Sequence, residues 1–291
     1  MELAAFTVVM LGLAGFFAGG LGALVGIGGG VVLVPVLVLG FGADIRLAVA
    51  TSLVSVVATS TAAGSVYVGK GLANMRLGMT LEIFTTLGGI TGGLLAAHVP
   101  PSVLAGLFAA MMLLTSGLML RGRDERRASA PQATPAKDIS NGHEEVGTLA
   151  GSYRDEHLGE VIHYRAVRVG LGGAVSFVAG IVSGMLGVGG GFIKVPAMHL
   201  GMRVPIKVAA ATSNFMIGVT AVSSLFVYFS RGMVQPYVAA PVALGVTAGA
   251  LAGTGLAKRV SSRRLQQVLS GVLVLVAVQM LLKALGVQLG R

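Results

Sequence analysis

The sequence predicts an all-α polytopic membrane protein. It has about eight full transmembrane helices, two short broken or re-entrant segments, and two homologous halves arranged as inverted repeats. Three observations lead there. The chain is too apolar for a soluble domain, apolar runs of crossing length recur along it, and one glycine-rich break appears twice at a fixed offset.

Of the 291 residues, 54% are hydrophobic and only 11% charged, and the mean hydropathy is +0.86. Soluble domains carry about 25% charged residues. Lipid is therefore the solvent for most of the surface. Glycine is abundant at 45 residues, which suits helices that must approach closely where no hydrophobic effect drives them together.

Spans are expected at about 4–24, 47–68, 77–98, 101–120, 167–187, 206–229, 237–257 and 266–288, each near the ~20 residues that a crossing helix needs. The first run lacks a basic leader and a small-residue cleavage site, so it reads as a retained span. Two shorter apolar pieces, 31–40 and 192–201, are too short to cross as helices and read as half-helices. Between Arg121 and Arg165 the composition turns charged and rich in Ser, Pro, Gly and Ala, without hydrophobic periodicity. That stretch reads as a mobile, cytoplasmic linker. The expected organisation is a transmembrane repeat over 1–120, the linker over 121–165, and a second repeat over 166–291.

The two repeats align without a gap. Gly19 to Gly71 superpose on Gly180 to Gly232 at an offset of 161, and 18 of the 53 pairs are identical. Val25–Pro35 reads "VGIGGGVVLVP" and Leu186–Pro196 reads "LGVGGGFIKVP". Matching Ala-Thr-Ser triplets follow at 50–52 and 211–213, then Tyr67/Tyr228 and Gly71/Gly232. Apolar low complexity does not yield paired Pro, Thr-Ser and Tyr positions at one offset. Duplicated halves with short broken segments at corresponding places are the pattern of secondary transporters.

The breaks are the expected substrate-binding site. Gly26, Gly28, Gly29 and Gly30, with Gly187, Gly189, Gly190 and Gly191, oppose a regular helix. Lipid offers their backbone amides no partners, so such a break must be buried in protein or line a cavity. Half-helix starts facing one centre attract an anion. Glycine spacing of four could equally serve helix packing alone. A dinucleotide fold is excluded by the missing strand–helix alternation and acidic partner.

Thr51, Ser52, Thr212 and Ser213 can donate hydroxyls to an anion or satisfy carbonyls between helices. Asn214 breaks the symmetry, its counterpart being Leu53, which makes it a ligand candidate. Lys194, opposite Leu33, is a functional candidate because a lysine at membrane depth is expensive; otherwise it snorkels to the interface. Glu82 could carry a coupling proton, or pair with Arg76.

No catalytic residue, metal site or cofactor is expected. There is no cysteine, no histidine grouping inside an apolar segment, and no ATP-binding motif. The net charge of +10 sits in loops and marks topology rather than nucleic acid. The expected partners are a small anion and the lipid bilayer, with proton coupling open and the oligomeric state undetermined. If each broken segment returns the chain to its starting side, then Lys70, Arg76, Arg121–Arg127, Arg168, Arg203, Lys207, Lys258, Arg259, Arg263 and Arg264 share one side, as the positive-inside rule favours.

The paired Gly-x-Gly-Gly-Gly-x4-Pro elements, each followed by Ala-Thr-Ser, and the duplication resemble the sulfite exporter TauE/SafE family of membrane permeases. The resemblance covers nearly the whole chain outside the linker. It implies an inner-membrane, multi-pass permease for small organosulfur anions such as sulfite or sulfonates, with the break glycines and Thr-Ser pairs as candidate contacts. The cysteine relay of a related thiosulfate branch has no counterpart here. The expected function is a secondary transporter working by alternating access, not an enzyme; the competing readings are an intramembrane enzyme and a passive anion channel.

Overall fold

The computed structural model describes residues 2–25, 29–69, 72–128, 149–154, 161–256 and 262–285. Each half opens with a helix, α1 (Glu2–Val25) in the first and α6 (Val169–Leu186) in the second. A short helix follows: α2 (Gly30–Pro35) or α7 (Gly191–Pro196). Three long helices complete each half: α3 (Ile45–Gly69), α4 (Met75–Ala96) and α5 (Pro101–Ala128), then α8 (Ile206–Ser230), α9 (Pro236–Leu256) and α10 (Ser262–Ala284).

The short segments fall where their length predicts. Pro35 and Pro196 have no N–H to give to the preceding turn. In both halves the chain then widens into a π-helical turn, Val36–Gly40 and Ala197–Gly201. The exit is duplicated too, with Ala43 N–H donating to the Leu37 carbonyl and Val204 N–H to that of Met198, both at 3.0 Å. The paired proline of the repeat is thus the cause of a paired irregular turn.

Among the described residues, five helices are long and apolar enough to cross a membrane: Met75–Ala96, Pro101–Leu118, Val169–Leu186, Ile206–Ser230 and Pro236–Gly253. The apolar runs in α1, α3 and α10 are shorter, at Phe6–Gly22, Ile45–Thr61 and Ser270–Ala284. Leucines and phenylalanines along the outer faces are exposed, among them Phe17, Leu87, Phe226 and Leu244, as a lipid-facing surface requires.

The halves exchange helices. α1 packs chiefly on α9, and α4 on α6, so the first helix of each half lies on the fourth of the other. Glycines make both contacts close. A Cβ on Gly88 or Gly92 would run into the carbonyl of Phe177 or Ile181, and one on Gly180 or Gly184 into that of Thr85 or Gly89. Gly15, Gly19, Gly245 and Gly249 meet backbone in the same way between α1 and α9. Along each pair the positions climb together, so the two helices run in the same direction. α4 also runs alongside α8, from Gly78 beside Thr212 to Gly93 beside Val227. α3 and α8 pack together at the centre, and α5 with α10 at the side.

Caps fit the sequence. Asn74 Oδ1 accepts from Leu77 N–H at 3.0 Å and starts α4. Pro101 and Pro236 open α5 and α9, where a missing N–H does no harm. Arg46, at the start of α3, donates to the Ala96 and Val99 carbonyls at 3.2 and 3.0 Å, closing the end of α4.

Two parts of the stretch expected to be an irregular linker are regular. α5 continues through Arg121–Ala128, a stretch whose Arg, Glu and Ala residues are good helix formers once outside lipid. Farther on, strands β1 (Ala150–Arg154) and β2 (Val161–Arg165) pair antiparallel, with Ser152 opposite His163. The all-α expectation therefore needs this one hairpin added. Tyr153 is buried, and Ile162 and Tyr164 pack against a cluster that includes Leu77, Met202 and Val208. Tyr164 Oη accepts from Asn74 Nδ2 at 3.0 Å, and burial pushes its phenol pKa up. Residues 129–148, the middle of that stretch, lie outside the described residues.

Candidate functional site

The two breaks meet. A Cβ on Gly30, at the start of α2, would collide with the carbonyl of Gly187, at the end of α6, and with the Val56 side chain. Gly187, Gly189 and Gly190 have φ of +70°, +78° and +68°. Any L side chain there costs roughly 1–2 kcal/mol in strain. The second break is thus a run of left-handed turns, and Gly187 also ends α6 by donating its N–H to the Ser183 carbonyl at 2.8 Å. Gly29 is buried with an ordinary right-handed backbone, φ −66°. Gly26 and Gly28 lie outside the described residues.

The four hydroxyls predicted as contacts separate into different roles. Ser52 Oγ lies 2.8 Å from the Gly187 carbonyl and 2.9 Å from that of Val49, its single proton shared between them. It is a strut from one half to the break of the other. Thr212 Oγ1 accepts from Asn74 N–H at 3.0 Å and fixes the start of α4. Thr51, the residue before Ser52 on α3, is fully buried, and its Oγ1 has no partner among the described residues.

Ser213 is also buried without a partner among the described residues. Its Oγ lies 3.4 Å from where a Cβ on Gly191 would sit. Ser183, on α6, is a third buried hydroxyl without a partner among the described residues, and its Cβ lies 3.3 Å from the corresponding point on Gly190. Two unsatisfied hydroxyls therefore flank the backbone of Gly190 and Gly191. A buried hydroxyl without a partner costs about 1–3 kcal/mol, so the pair is a place where a polar ligand is gained at little desolvation expense. Nothing in the repeat singled out Ser183, since its counterpart is Gly22.

Lys194 does not snorkel. It is 1% exposed, one turn beyond Gly190 and Gly191. Its Nζ donates to Thr220 Oγ1 at 2.9 Å. Thr220 Oγ1 in turn lies 2.8 Å from Glu82 Oε1, with the Met216 carbonyl at 2.9 Å. Thr86 donates to the same carboxylate oxygen at 3.3 Å. Glu82 is 6% exposed and its Oε2 is unpartnered among the described residues. Glu82 therefore faces the second break, with Arg76 exposed on the first turn of its helix. The sequence did carry a signal for Thr220: it is the repeat partner of Thr59. Asn214, the residue after Ser213 on α8, is half-buried.

Away from the breaks, a cleft of about 420 Å³ opens between Val38, Asp44, Ile45, Ser102, Ala105 and Lys283. Lys283 Nζ donates to the Val38 carbonyl at 2.9 Å there, tying α10 to the first π-helical turn. Among the described residues no group of three or more metal-ligating side chains occurs.

A family model described as Sulfite exporter TauE/SafE matches this chain over residues 11–280. The chain belongs to the sulfite exporter TauE/SafE family. Relatives within reach of it are probable membrane transporter proteins. YunE of Bacillus subtilis is 28% identical over 287 residues, covering 94% of this chain and 97% of the relative. A protein of Xylella fastidiosa is 28% identical over 271 residues, 92% and 90% of the two chains. MJ0441 of Methanocaldococcus jannaschii is 23% identical over 288 residues, 94% and 95%. No solved structure matches the chain. Family membership makes this a multi-pass membrane transporter, and the match runs through both halves and both breaks.

Proposed function

We propose that the protein is a secondary transporter that moves a small organosulfur anion, sulfite or a sulfonate, across the cytoplasmic membrane. Substrate sits between the two glycine breaks, and the halves rock around it to expose it to either side in turn. One observation carries this reading: at the point where Gly30 meets Gly187, the buried hydroxyls of Ser183 and Ser213 are unpartnered beside Gly190 and Gly191. Oxyanions accept hydrogen bonds, which suits hydroxyls whose protons have no acceptor among the described residues. Lys194, one turn beyond Gly190 and Gly191, completes the neighbourhood, and Thr51 and Gly29 are further candidate contacts. Ser52 and Thr212 hold the scaffold, and Asn214 borders it.

We read eight crossings with two re-entrant segments, and halves inserted in opposite senses. Several contacts support this. α3 starts at the end of α4, where Arg46 bonds Ala96 and Val99, whereas α8 starts beside the start of α4, where Thr212 meets Asn74. α3 and α8, equivalent in the repeat, thus run against each other. The same geometry gathers Arg76, Arg168, Arg203 and Lys207 at one end, which the positive-inside rule makes cytoplasmic, together with the 121–165 segment. Opposed halves make the two access states close in energy.

The test is flux into proteoliposomes holding the purified chain, with sulfite, methanesulfonate, acetate and phosphate as probes. Saturable uptake of sulfite and methanesulfonate, each inhibiting the other, supports the reading. Flux that rises without saturation assigns a channel, and no response to any of the four anions removes the anion site.

A further inference from the structure

The repeat is symmetric in its glycines, prolines and Thr-Ser pairs, but the charged residues at its centre are not. Lys194 stands opposite Leu33 and Glu82 opposite Ala243. Two ionisable side chains, Glu82 from the first half and Lys194 from the second, meet deep in the bundle at the second break only and are joined through Thr220. Structure alone does not require them: the equivalent positions of the repeat are leucine (Leu33) and alanine (Ala243). A buried ion pair also contributes little stability over a well-packed apolar pair. Ionisable groups at such depth belong to pathways and relays.

We propose that Glu82, Thr220 and Lys194 form a proton-coupling unit, so that each anion crosses with one proton. The proposal rests on the anion site inferred above, one turn from Lys194. Without substrate the Glu82 carboxylate balances the Lys194 ammonium through the Thr220 hydroxyl, and the unit is neutral. An anion arriving beside Gly190, Gly191 and Lys194 adds one negative charge in a medium of low dielectric. Glu82 then takes a proton from water on the loading side at Oε2, the oxygen with no partner among the described residues. The carboxylate lone pair forms the new O–H bond, and the loaded unit holds one ammonium, one carboxylic acid and one anion. After reorientation the anion leaves, the O–H bond breaks, the proton passes to water, and the ammonium–carboxylate pair is restored. One monoanion and one proton move together with no net charge.

The surroundings suit this role. α6 brings no titratable side chain to the unit. His199, on the π-helical turn after α7, lies 2.9 Å through Nδ1 from the Val204 carbonyl. Tyr228 on α8 donates to the Gly184 carbonyl at 3.1 Å. Arg76 and Lys207 stand on the exposed first turns of α4 and α8. Glu82 and Lys194 are joined through Thr220 Oγ1, at 2.8 and 2.9 Å.

The experiment uses the full chain in proteoliposomes with radiolabelled methanesulfonate, and separates exchange, with equal anion on both sides, from net uptake driven by a pH gradient. Wild type should accumulate the anion about tenfold per unit of inward proton gradient, since one pKa unit and one pH unit are the same 1.36 kcal/mol. A trapped pH dye should record one proton per anion. Glu82→Gln should exchange at a rate independent of pH and accumulate nothing. Thr220→Val should lose accumulation while Thr220→Ser restores it, a rescue that a packing role would not give. Accumulation that survives in Glu82→Gln overturns the proposal. A second measurement stands apart from transport: the carboxylic C=O infrared band of the purified protein, titrated with and without methanesulfonate. A band that grows with the anion and vanishes in Glu82→Gln supports proton uptake. Its absence at every pH from about 4 to 9 overturns it. If wild type exchanges no methanesulfonate yet shows the titrating band, the sulfonate reading falls and the proton site stands.

Discussion

Ser52 and Ser213 occupy one position of the repeat and meet different partners. Ser52 spends its proton on the Gly187 and Val49 carbonyls, while Ser213 has none to spend it on among the described residues. Substitution should separate them. Ser52→Ala strands a buried carbonyl and should lower stability by about 1–3 kcal/mol, read by circular-dichroism melting in detergent. Ser213→Ala should leave the melting temperature in place and raise the half-saturating sulfite or methanesulfonate concentration roughly 10- to 100-fold, the worth of one hydrogen bond to a charged group. Equal melting losses in the two variants would refute this division. Glycines divide in the same way. Gly187→Ala should destabilise by at least about 1–2 kcal/mol from its left-handed backbone alone, with Ser52 and Val49 in the way of the new methyl. Gly40, also identical between the halves, has open space around it, so Gly40→Ala should stay within about 0.5 kcal/mol. Sequence identity across the repeat marks both glycines alike. Only the packed backbone tells which one is structurally bound, and that is why the sequence reading placed all four Thr and Ser hydroxyls in one class.

At the scale of elements, the short segments were legible because length is decisive in a membrane: ten apolar residues cannot cross. The expected pieces at 31–40 and 192–201 fall inside Gly30–Gly40 and Gly191–Gly201. The hairpin was not legible. AGSYR and VIHYR are five-residue strands with two apolar positions at most on one face, and what orders them is a tertiary floor made by Leu77, Met202 and Val208. Nor did glycine spacing reveal which helices would touch. The close contacts lie between α4 and α6 and between α1 and α9, whereas spacing within the breaks suggested packing there. Gly184→Leu should therefore prevent the α4–α6 approach, since a side chain there meets the Gly89 carbonyl. The expected result is aggregation or loss of the folded peak in size-exclusion chromatography. Gly170→Leu, on the exposed face of the same helix with open space around it, should elute as wild type.

For the whole molecule, the duplication was the most informative feature of the sequence, and charge bias then chose between parallel and opposed insertion. The native chain has no cysteine, so single cysteines can be labelled from outside intact cells without background. Opposed halves place Gly232, beyond the end of α8, outside, and Ala130, beyond the end of α5, in the cytoplasm. Gly232→Cys should react with an impermeant maleimide and Ala130→Cys should react only after the membrane is opened. Labelling of both from one face would refute the opposed arrangement. The reciprocal seating of α1 on α9 and α4 on α6 has a consequence during synthesis. As the ribosome releases α1, the surface meant to receive it does not yet exist, and it stays absent until nearly the entire chain has been made. α4 waits less, but it too must be met by a helix from beyond the hairpin. The first five helices are therefore an unfinished assembly in the bilayer, with glycine-lined flanks open to lipid. Stop codons placed between the halves should leave a fragment that is degraded, and supplying the second half as a separate chain should rescue it.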